Sequence, residues 1–431
     1  VTERYDAIVI GGGAAGGTAA ILLAQAGWSV ALVEKRVFPR RKVCGECIAA
    51  PNLALLDALD VGAEFAAIAG PELTRVGLYV GEETLCADLP RLESAGAGWA
   101  RALGREQLDT LLLRRAARLG VTIRQPCAVK HIERRGSLYT CRLDAYSQDA
   151  ESIEAPVLIA AHGSWETQPW DERAARRAQP SDLVAFKANF SGANLEPGLL
   201  PVLAFRGGYG GMVVADGGML TLACCIRRDA LREWRAAARA PTAGEAVQAG
   251  LGASCRGVRL ALAGARREGA WLSVAPVRPG IRAPWSEQSG FAVGNAAGEA
   301  HPILGEGISM AMQSAWLLCR RLVRERDAVL GGESQSAIAR EYRRDWRRHF
   351  TTRLRLAAVL AHLAMRPEQA RPLLPLLRWR PGLLTAAARL GGKATALGDL
   401  TTALTAKIGH ERARARTMVA ATVPRLGDKE A

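Results

Sequence analysis

Ala7-Ile8-Val9-Ile10 is an unbroken apolar run of strand length, and it predicts a strand buried on both faces. Six small residues, Gly11-Gly12-Gly13-Ala14-Ala15-Gly16, follow it. Thr18–Gln25 then repeats at helical spacing, and Ser29–Val33 is a second apolar run ending at Glu34. Arg105–Leu119 sets Leu108, Leu111, Leu112, Ala116 and Leu119 on one helical face. Val121–Ile132 and Leu138–Leu143 read as strands, and Val157–Ala161 as a buried strand running into His162-Gly163-Ser164. From Asp182 to Arg227 the period shortens. Leu183–Phe190, Val202–Arg206, Gly211–Val214 and Leu220–Ile226 are strands parted by glycine-rich turns. Helices are predicted over Asp229–Ala240 and Thr242–Gly252, a short strand over Phe291–Val293, and a long apolar-faced helix over Ile308–Arg324. From Glu341 onward the chain is helical and basic.

The first elements form a strand, a G-x-G-x-x-G turn, a helix, a second strand and an acid about twenty residues on, which is the dinucleotide-binding arrangement. Gly11 permits the turn, Gly13 lets the backbone approach a pyrophosphate, and Gly16 lets the helix lie close to the strand. The helix N-terminus offers unpaired N–H groups and the positive end of its dipole. Glu34 accepts from ribose hydroxyls and repels a 2′-phosphate, which points to NAD or the AMP half of FAD and away from NADP. The strand-rich block interrupts this pattern. The expected fold is therefore mixed α/β: a Rossmann-like domain with an inserted mixed β-sheet substrate domain and a C-terminal helical region. The expected boundaries are 1–50, 96–165 and 286–340 for the first, 51–95 and 166–285 for the second, and 341–431 for the third.

Composition narrows the picture little. The 431 residues are 49% hydrophobic and 23% charged, as in globular chains. A net charge of +15 raises nucleic acid or membrane as partners. Arginine exceeds lysine throughout and no nucleic-acid module accompanies it, which argues against nucleic acid. Nine cysteines in a long chain suggest reduced thiols and a cytoplasmic setting. Cys44-Gly45-Glu46-Cys47 is a C-x-x-C; Cys47 reads as a packing residue, with a redox dithiol as the alternative. Lys187 lies in an apolar strand, with Val184 and Phe186 on the opposite face; an edge or solvent face is its default place, and a cavity-facing amine the alternative. Arg343, Arg344, Arg347, Arg348, Arg353 and Arg355 make one stretch basic, and Leu354, Leu356, Val359, Leu360 and Leu363 supply its apolar side. They read as the solvated face of a packed helix, with contact to anionic lipid as the alternative.

A second small-residue segment, Val293-Gly294-Asn295-Ala296-Ala297-Gly298-Glu299-Ala300-His301-Pro302-Ile303-Leu304-Gly305-Glu306-Gly307-Ile308, reads as a strand end, a turn and a glycine-flanked helix start. Backbone N–H groups left open there can stabilise negative charge. With the first motif, this segment resembles FAD-dependent oxidoreductases of the para-hydroxybenzoate hydroxylase fold. The likeness is to the subgroup of geranylgeranyl reductases, flavin-dependent halogenases and tailoring monooxygenases. Phe38-Pro39-Arg40-Arg41-Lys42-Val43-Cys44-Gly45-Glu46, Leu103-Gly104-Arg105-Glu106-Gln107-Leu108-Asp109, Trp271–Pro276, Pro279-Gly280 and the glycines around Tyr209 resemble it too.

The resemblance implies that FAD is held by Gly11, Gly13, Ala14, Ala15, Gly16, Glu34, Lys35, Arg41, Cys44, Gly45, Arg105, Val129, Gly294, Asn295, Pro302, Gly305, Gly307 and Ile308. Asn295 stands where the family usually has an aspartate. His301, Pro302, Lys187 and Tyr209 are the candidate catalytic residues. Ala161-His162-Gly163 replaces the Asp-Gly of many hydroxylases. NADH or NADPH as donor then stands beside delivery by a partner flavin reductase. The implied reaction is hydroxylation of an aromatic or polyketide-like, apolar small molecule through a flavin C4a-hydroperoxide. Alkene reduction of the geranylgeranyl-reductase type is the first alternative. Halogenation ranks next, since no Trp-x-Trp-x-Ile-Pro stretch is present. A flavin-binding module without turnover is the non-enzymatic alternative.

Overall fold

The computed structural model describes residues 2–92, 98–144, 152–163, 177–332 and 335–393. Ser164 and the basic tail beyond Lys393 lie outside the described residues.

The apolar runs converge on a six-stranded sheet, ordered Trp285–Ser286, Gly290–Ala292, Val157–Ala160, Ala7–Ile10, Val30–Val33, Thr122–Arg124. All neighbours run parallel except the first pair. Parallel strands are covered on both faces, which is why Ala7–Ile10, Val30–Val33 and Val157–Ala160 are buried at every position. One face carries the helices Ala14–Gln25, Arg105–Arg118 and Gly307–Arg324, which share the largest core with Trp346 and Phe350 of the helix Ser336–Ala364. The helices Pro51–Ala58 and Gly62–Ile68 bury Leu55, Leu56 and Phe65 in this same core. The other face packs on a four-stranded sheet of Glu3–Arg4, Ser152–Ala155, Leu138–Leu143 and Val129–Arg135.

The seven-stranded sheet is ordered Arg266–Val277, Leu183–Ser191, Leu220–Arg227, Gly208–Val214, Leu199–Phe205, Arg75–Val80, Glu83–Asp88. Only the Leu199–Phe205 and Arg75–Val80 pair is parallel. Val184 and Phe186 face one core and Ala185 another, as the alternation predicts. The helix Ala243–Ser254 starts at a capping box in which Thr242 and Glu245 bond each other's backbone.

Three expectations are corrected. The single strand expected over Val121–Ile132 is two, Thr122–Arg124 and Val129–Arg135, in different sheets. Pro126 lies between them with no N–H to give a ladder. The first helix begins at Ala14 rather than Thr18, so the glycine turn supplies its first turn. Arg353, expected among solvated arginines, is 4% exposed, because it lies on the Tyr342–Trp346–Phe350 face of its helix. Among the described residues no helix is long and apolar enough to cross a membrane.

Candidate active site

The sharp turn after Ala7–Ile10 depends on glycine in two ways. Gly11 has φ +107°, and a Cβ on Gly16 would stand 1.8 Å from the Gly11 carbonyl oxygen. Gly16 therefore brings helix and strand together and does not line the cavity. Gly11, Gly13, Ala14 and Ala15 do line it. Glu34 is buried at the end of the next strand. Its Oε2 accepts from the Gly12 N–H (2.8 Å) and its Oε1 from the Arg36 N–H (2.8 Å). Each oxygen keeps a further lone pair for a ribose hydroxyl.

Opposite Gly13 stands a half-buried cationic group over the buried Asp109. Arg105 donates to both oxygens of Asp109 (2.9 and 2.7 Å), and Lys42 Nζ is 3.0 Å from Asp109 Oδ2. Burial alone would raise the Asp109 carboxyl; Arg105 and Lys42 outweigh it and hold the group below its ordinary range. Two cations over one acid leave an excess of positive charge beside the Gly13 backbone. The Cβ position of Gly13 is 3.3 Å from Arg105 Nη2 and 3.4 Å from Lys42 Nζ. An open glycine backbone beside two cations and a helix N-terminus fits a pyrophosphate, and buried Glu34 fits the adenosine ribose.

From this turn one cavity of about 1110 Å3 continues along the chain. Lys35, Arg41, Cys44, Gly45, Arg105, Val129, Gly294, Asn295, Pro302, Gly305, Gly307 and Ile308 line it, as does His162. Arg41 also donates to Asn189 Oδ1 at 2.6 Å, tying this segment to the seven-stranded sheet. The Gly294 N–H donates to Ser314 Oγ (2.8 Å), and Gly305 has φ +63° before the 18-residue helix Gly307–Arg324. Beyond this turn the walls are aliphatic. Leu78, Val80, Val202 and Met212 come from the sheet, and Leu374, Leu377, Leu384 and Ala388 from the helices Leu374–Trp379 and Gly382–Ala388.

The candidate catalytic residues separate. Pro302 and Tyr209 line the cavity, whereas His301 and Lys187 stand behind its wall. Tyr209 Oη and His301 Nδ1 are 2.9 Å apart. Burial raises the phenol of Tyr209 well above its ordinary range and lowers the imidazolium of His301. The phenol therefore keeps its proton beside a neutral imidazole, and which of the two donates depends on the histidine tautomer. Lys187, placed by default at an edge or on a solvent face, is only 2% exposed, because its strand lies between two others. It is ion-paired to Glu46. Glu46 has φ +58° and is itself buried. Its Oε1 also accepts from the Arg105 N–H (3.1 Å), and its Oε2 from Thr221 Oγ1 (2.5 Å). One carboxylate thus joins the flavin-facing segment, the Arg105 helix and two strands of the seven-stranded sheet.

Cys47, expected merely to pack, accepts from Lys393 Nζ at 3.2 Å. The same Nζ is 3.1 Å from Glu306 Oε1 and 3.4 Å from the Gly305 carbonyl oxygen. Cys44 lines the cavity, and burial pushes the Cys47 thiol up. Sequence reasoning missed Lys42, Glu46, Asp109, Thr221, Glu306, Arg353 and Lys393 as site residues. Lys42, Glu46 and Asp109 lay inside the recognised segments 38–46 and 103–109. Lys393 gave no signal. Among the described residues no group of three or more His, Cys, Asp or Glu is set to hold a metal.

Residues 4–357 match the family described as FAD binding domain. A tryptophan 2-halogenase of Chondromyces crocatus is 29% identical over 375 residues, covering 82% of this chain and 66% of that protein. Conditioned medium factor receptor 1 of Dictyostelium discoideum is 27% identical over 352 residues, covering 75% and 64%. The chain thus spans less than two thirds of the length of either curated relative. Among solved structures, the flavin-dependent brominase Bmp2 superposes with a TM-score of 0.74 at 18% identity, over 95% of this chain and all of that one (100%). The myxobacterial chondrochloren halogenase CndH gives 0.72 at 21%, over 93% and 96%. PqsL, a probable FAD-dependent monooxygenase from Pseudomonas aeruginosa, gives 0.67 at 17%, over 86% and 100%. The chain belongs to the FAD binding domain family of flavin-dependent enzymes, with FAD as its cofactor and the para-hydroxybenzoate hydroxylase fold as its scaffold.

Proposed function

We propose that this chain is a flavin monooxygenase that hydroxylates a bulky apolar small molecule, aromatic or polyketide-like. The observation that carries the reading is the single cavity running from the Gly11–Gly16 turn into an aliphatic chamber. Bound FAD supplies two-electron chemistry with dioxygen. The chain does the rest. Gly13, Arg105, Lys42 and Glu34 hold the dinucleotide, and Gly294, Asn295, Pro302 and the 305–308 turn are assigned to the ring-bearing half. The aliphatic chamber keeps water from the reacting atoms. Tyr209 and His301 are both neutral, so the hydrogen-bonded pair adds a neutral polar group to the cavity wall.

The same proposal divides the molecule into a cofactor unit, a substrate part over 51–95 and 166–285 whose first two helices pack into the cofactor core, and a C-terminal cover. His162, where many hydroxylases carry Asp, supports electron delivery by a separate flavin reductase over direct use of NADH or NADPH. Exposed Leu373, Leu376 and Trp379 (71%) beside exposed Arg371, Arg378 and Arg380 support peripheral contact with anionic lipid in a cytoplasmic setting.

Halogenation is the second reading, favoured by the likeness to a tryptophan 2-halogenase and to the fold of a brominase. The deciding experiment supplies reduced flavin and oxygen to the FAD-loaded chain, with a panel of phenols, indoles, aromatic polyketides and prenyl chains, with and without bromide. Mass spectrometry reads the products. Gain of one oxygen atom supports hydroxylation. Halogen in place of hydrogen supports the second reading. Gain of two hydrogens identifies an alkene reductase, and bound FAD without turnover a flavin-binding module.

A further inference from the structure

Behind the 305–307 turn lies a charge cluster that neither the fold nor the proposed reaction accounts for. Glu306 is 1% exposed and stands at the N-terminus of the Gly307–Arg324 helix. Lys393, 5% exposed, reaches it from the other end of the described chain, with Nζ 3.1 Å from Glu306 Oε1. Arg353 flanks the acid from a third element. The Cβ position of Gly392 is 3.0 Å from Arg353 Nη1 and 3.0 Å from Glu306 Oε2, so only a glycine fits between guanidinium and carboxylate. Arg353 also donates to a neutral group, Gln313 Oε1 at 2.9 Å, and lies over the Phe350 ring. Cys47, the other neighbour of Lys393, is a buried thiol. Among the described residues the cluster therefore holds two positive charges against one negative. Lys393, Cys47, Gly305 and Gly307 face the cavity, with Glu306 and Arg353 immediately behind. Lys393 lies outside the 4–357 match to the family, so the C-terminal segment adds this charge to the family's scaffold.

A buried net charge costs several kcal/mol unless something of opposite sign meets it. Uptake of two electrons and one proton leaves the bound ring with one added negative charge, and charge beside the ring sets how readily that happens. We propose that Lys393, Glu306 and Arg353 together set the reduction potential of the bound flavin, Lys393 and Arg353 raising it and Glu306 lowering it. This rests on the reading that the cofactor runs from the Gly11–Gly16 turn with its ring toward 305–307.

The test is equilibrium reduction of the FAD-loaded full chain by dithionite against reference dyes, with the visible circular dichroism of the bound flavin recorded in parallel. Dithionite supplies the electrons and water the proton. Lys393→Met and Arg353→Met are expected to lower the midpoint potential and Glu306→Gln to raise it. Lys393→Met/Glu306→Gln is expected to return near the wild-type value, and Lys393→Arg to keep it. Packing damage would move every variant the same way. Shifts all of one sign, or no shift, overturn the proposal. Gly305→Ala separates the two possible failures. If it alters the flavin dichroism while the charge variants leave the potential alone, the charge proposal falls by itself. If neither the dichroism nor the potential responds in any variant, the placement of the ring falls as well.

Discussion

Lys187 and Glu46 show how much a single side chain can link when it is buried. Removing one member of a buried pair leaves the other charged and unpaired, which costs about 3–5 kcal/mol. Lys187→Met is therefore expected to lower the free energy of unfolding by about that amount, and Lys187→Met/Glu46→Gln to recover part of it. Urea unfolding of the three proteins checks this. A single-variant loss under about 1 kcal/mol, as for an exposed pair, would contradict it. His301 gives a pH-dependent counterpart. Burial lowers its folded-state pKa, while the unfolded chain takes up a proton near about 6.5. Below that pH the unfolded state binds the proton and the folded state resists it. The stability present at neutral pH is therefore lost as the pH falls. Unfolding midpoints measured from about pH 8 to about pH 5 should show this decline in the wild type and a shallower one in His301→Gln.

At the scale of elements, local pattern and long-range pairing were legible to different degrees. The dinucleotide strand, turn, helix and second strand were readable because period, glycine spacing and the terminal acid all agree there. Gly16→Ala tests that turn. Its methyl group would meet the Gly11 carbonyl oxygen, so the FAD dissociation constant is expected to rise by at least about tenfold, roughly 1.4 kcal/mol. Fluorescence titration with FAD measures it. The helix from Thr242 was expected too; the structure adds its Thr242–Glu245 capping box, and Thr242→Ala should cost about 1 kcal/mol in urea unfolding. The strands Arg75–Val80 and Glu83–Asp88 escaped, and so did the full length of Arg266–Val277. Each lies at or near an edge of the seven-stranded sheet, where polar and half-buried positions blur the two-residue period. Pro126 marks the break within the run from Val121 to Ile132 that the strand reading passed over, and nothing local says that its two sides join different sheets.

For the whole molecule, the cofactor's place was written in contiguous motifs, whereas the chamber is assembled from distant segments. Glu46, Thr221 and Lys187 meet across 175 residues, and Lys393 reaches Cys47 across 346. No window of sequence contains such partnerships. The chamber's far wall comes from residues 367–393, beyond the stretch that matches the family. That wall bears on the order of events at the ribosome. Synthesis delivers the phosphate-binding turn first, the strand Gly290–Ala292 and the 305–308 turn much later, and the covering helices last. Domains fold largely in that order as they emerge. A nascent chain that has passed the core helix Ser336–Ala364 but not residue 393 is expected to hold the flavin cleft without its far wall. Entry of the cofactor is then easiest during translation, and the covering helices turn a loading dock into a sealed chamber. A chain ending at residue 366 should consequently release and rebind FAD faster than the full chain, and stopped-flow flavin fluorescence would record the difference.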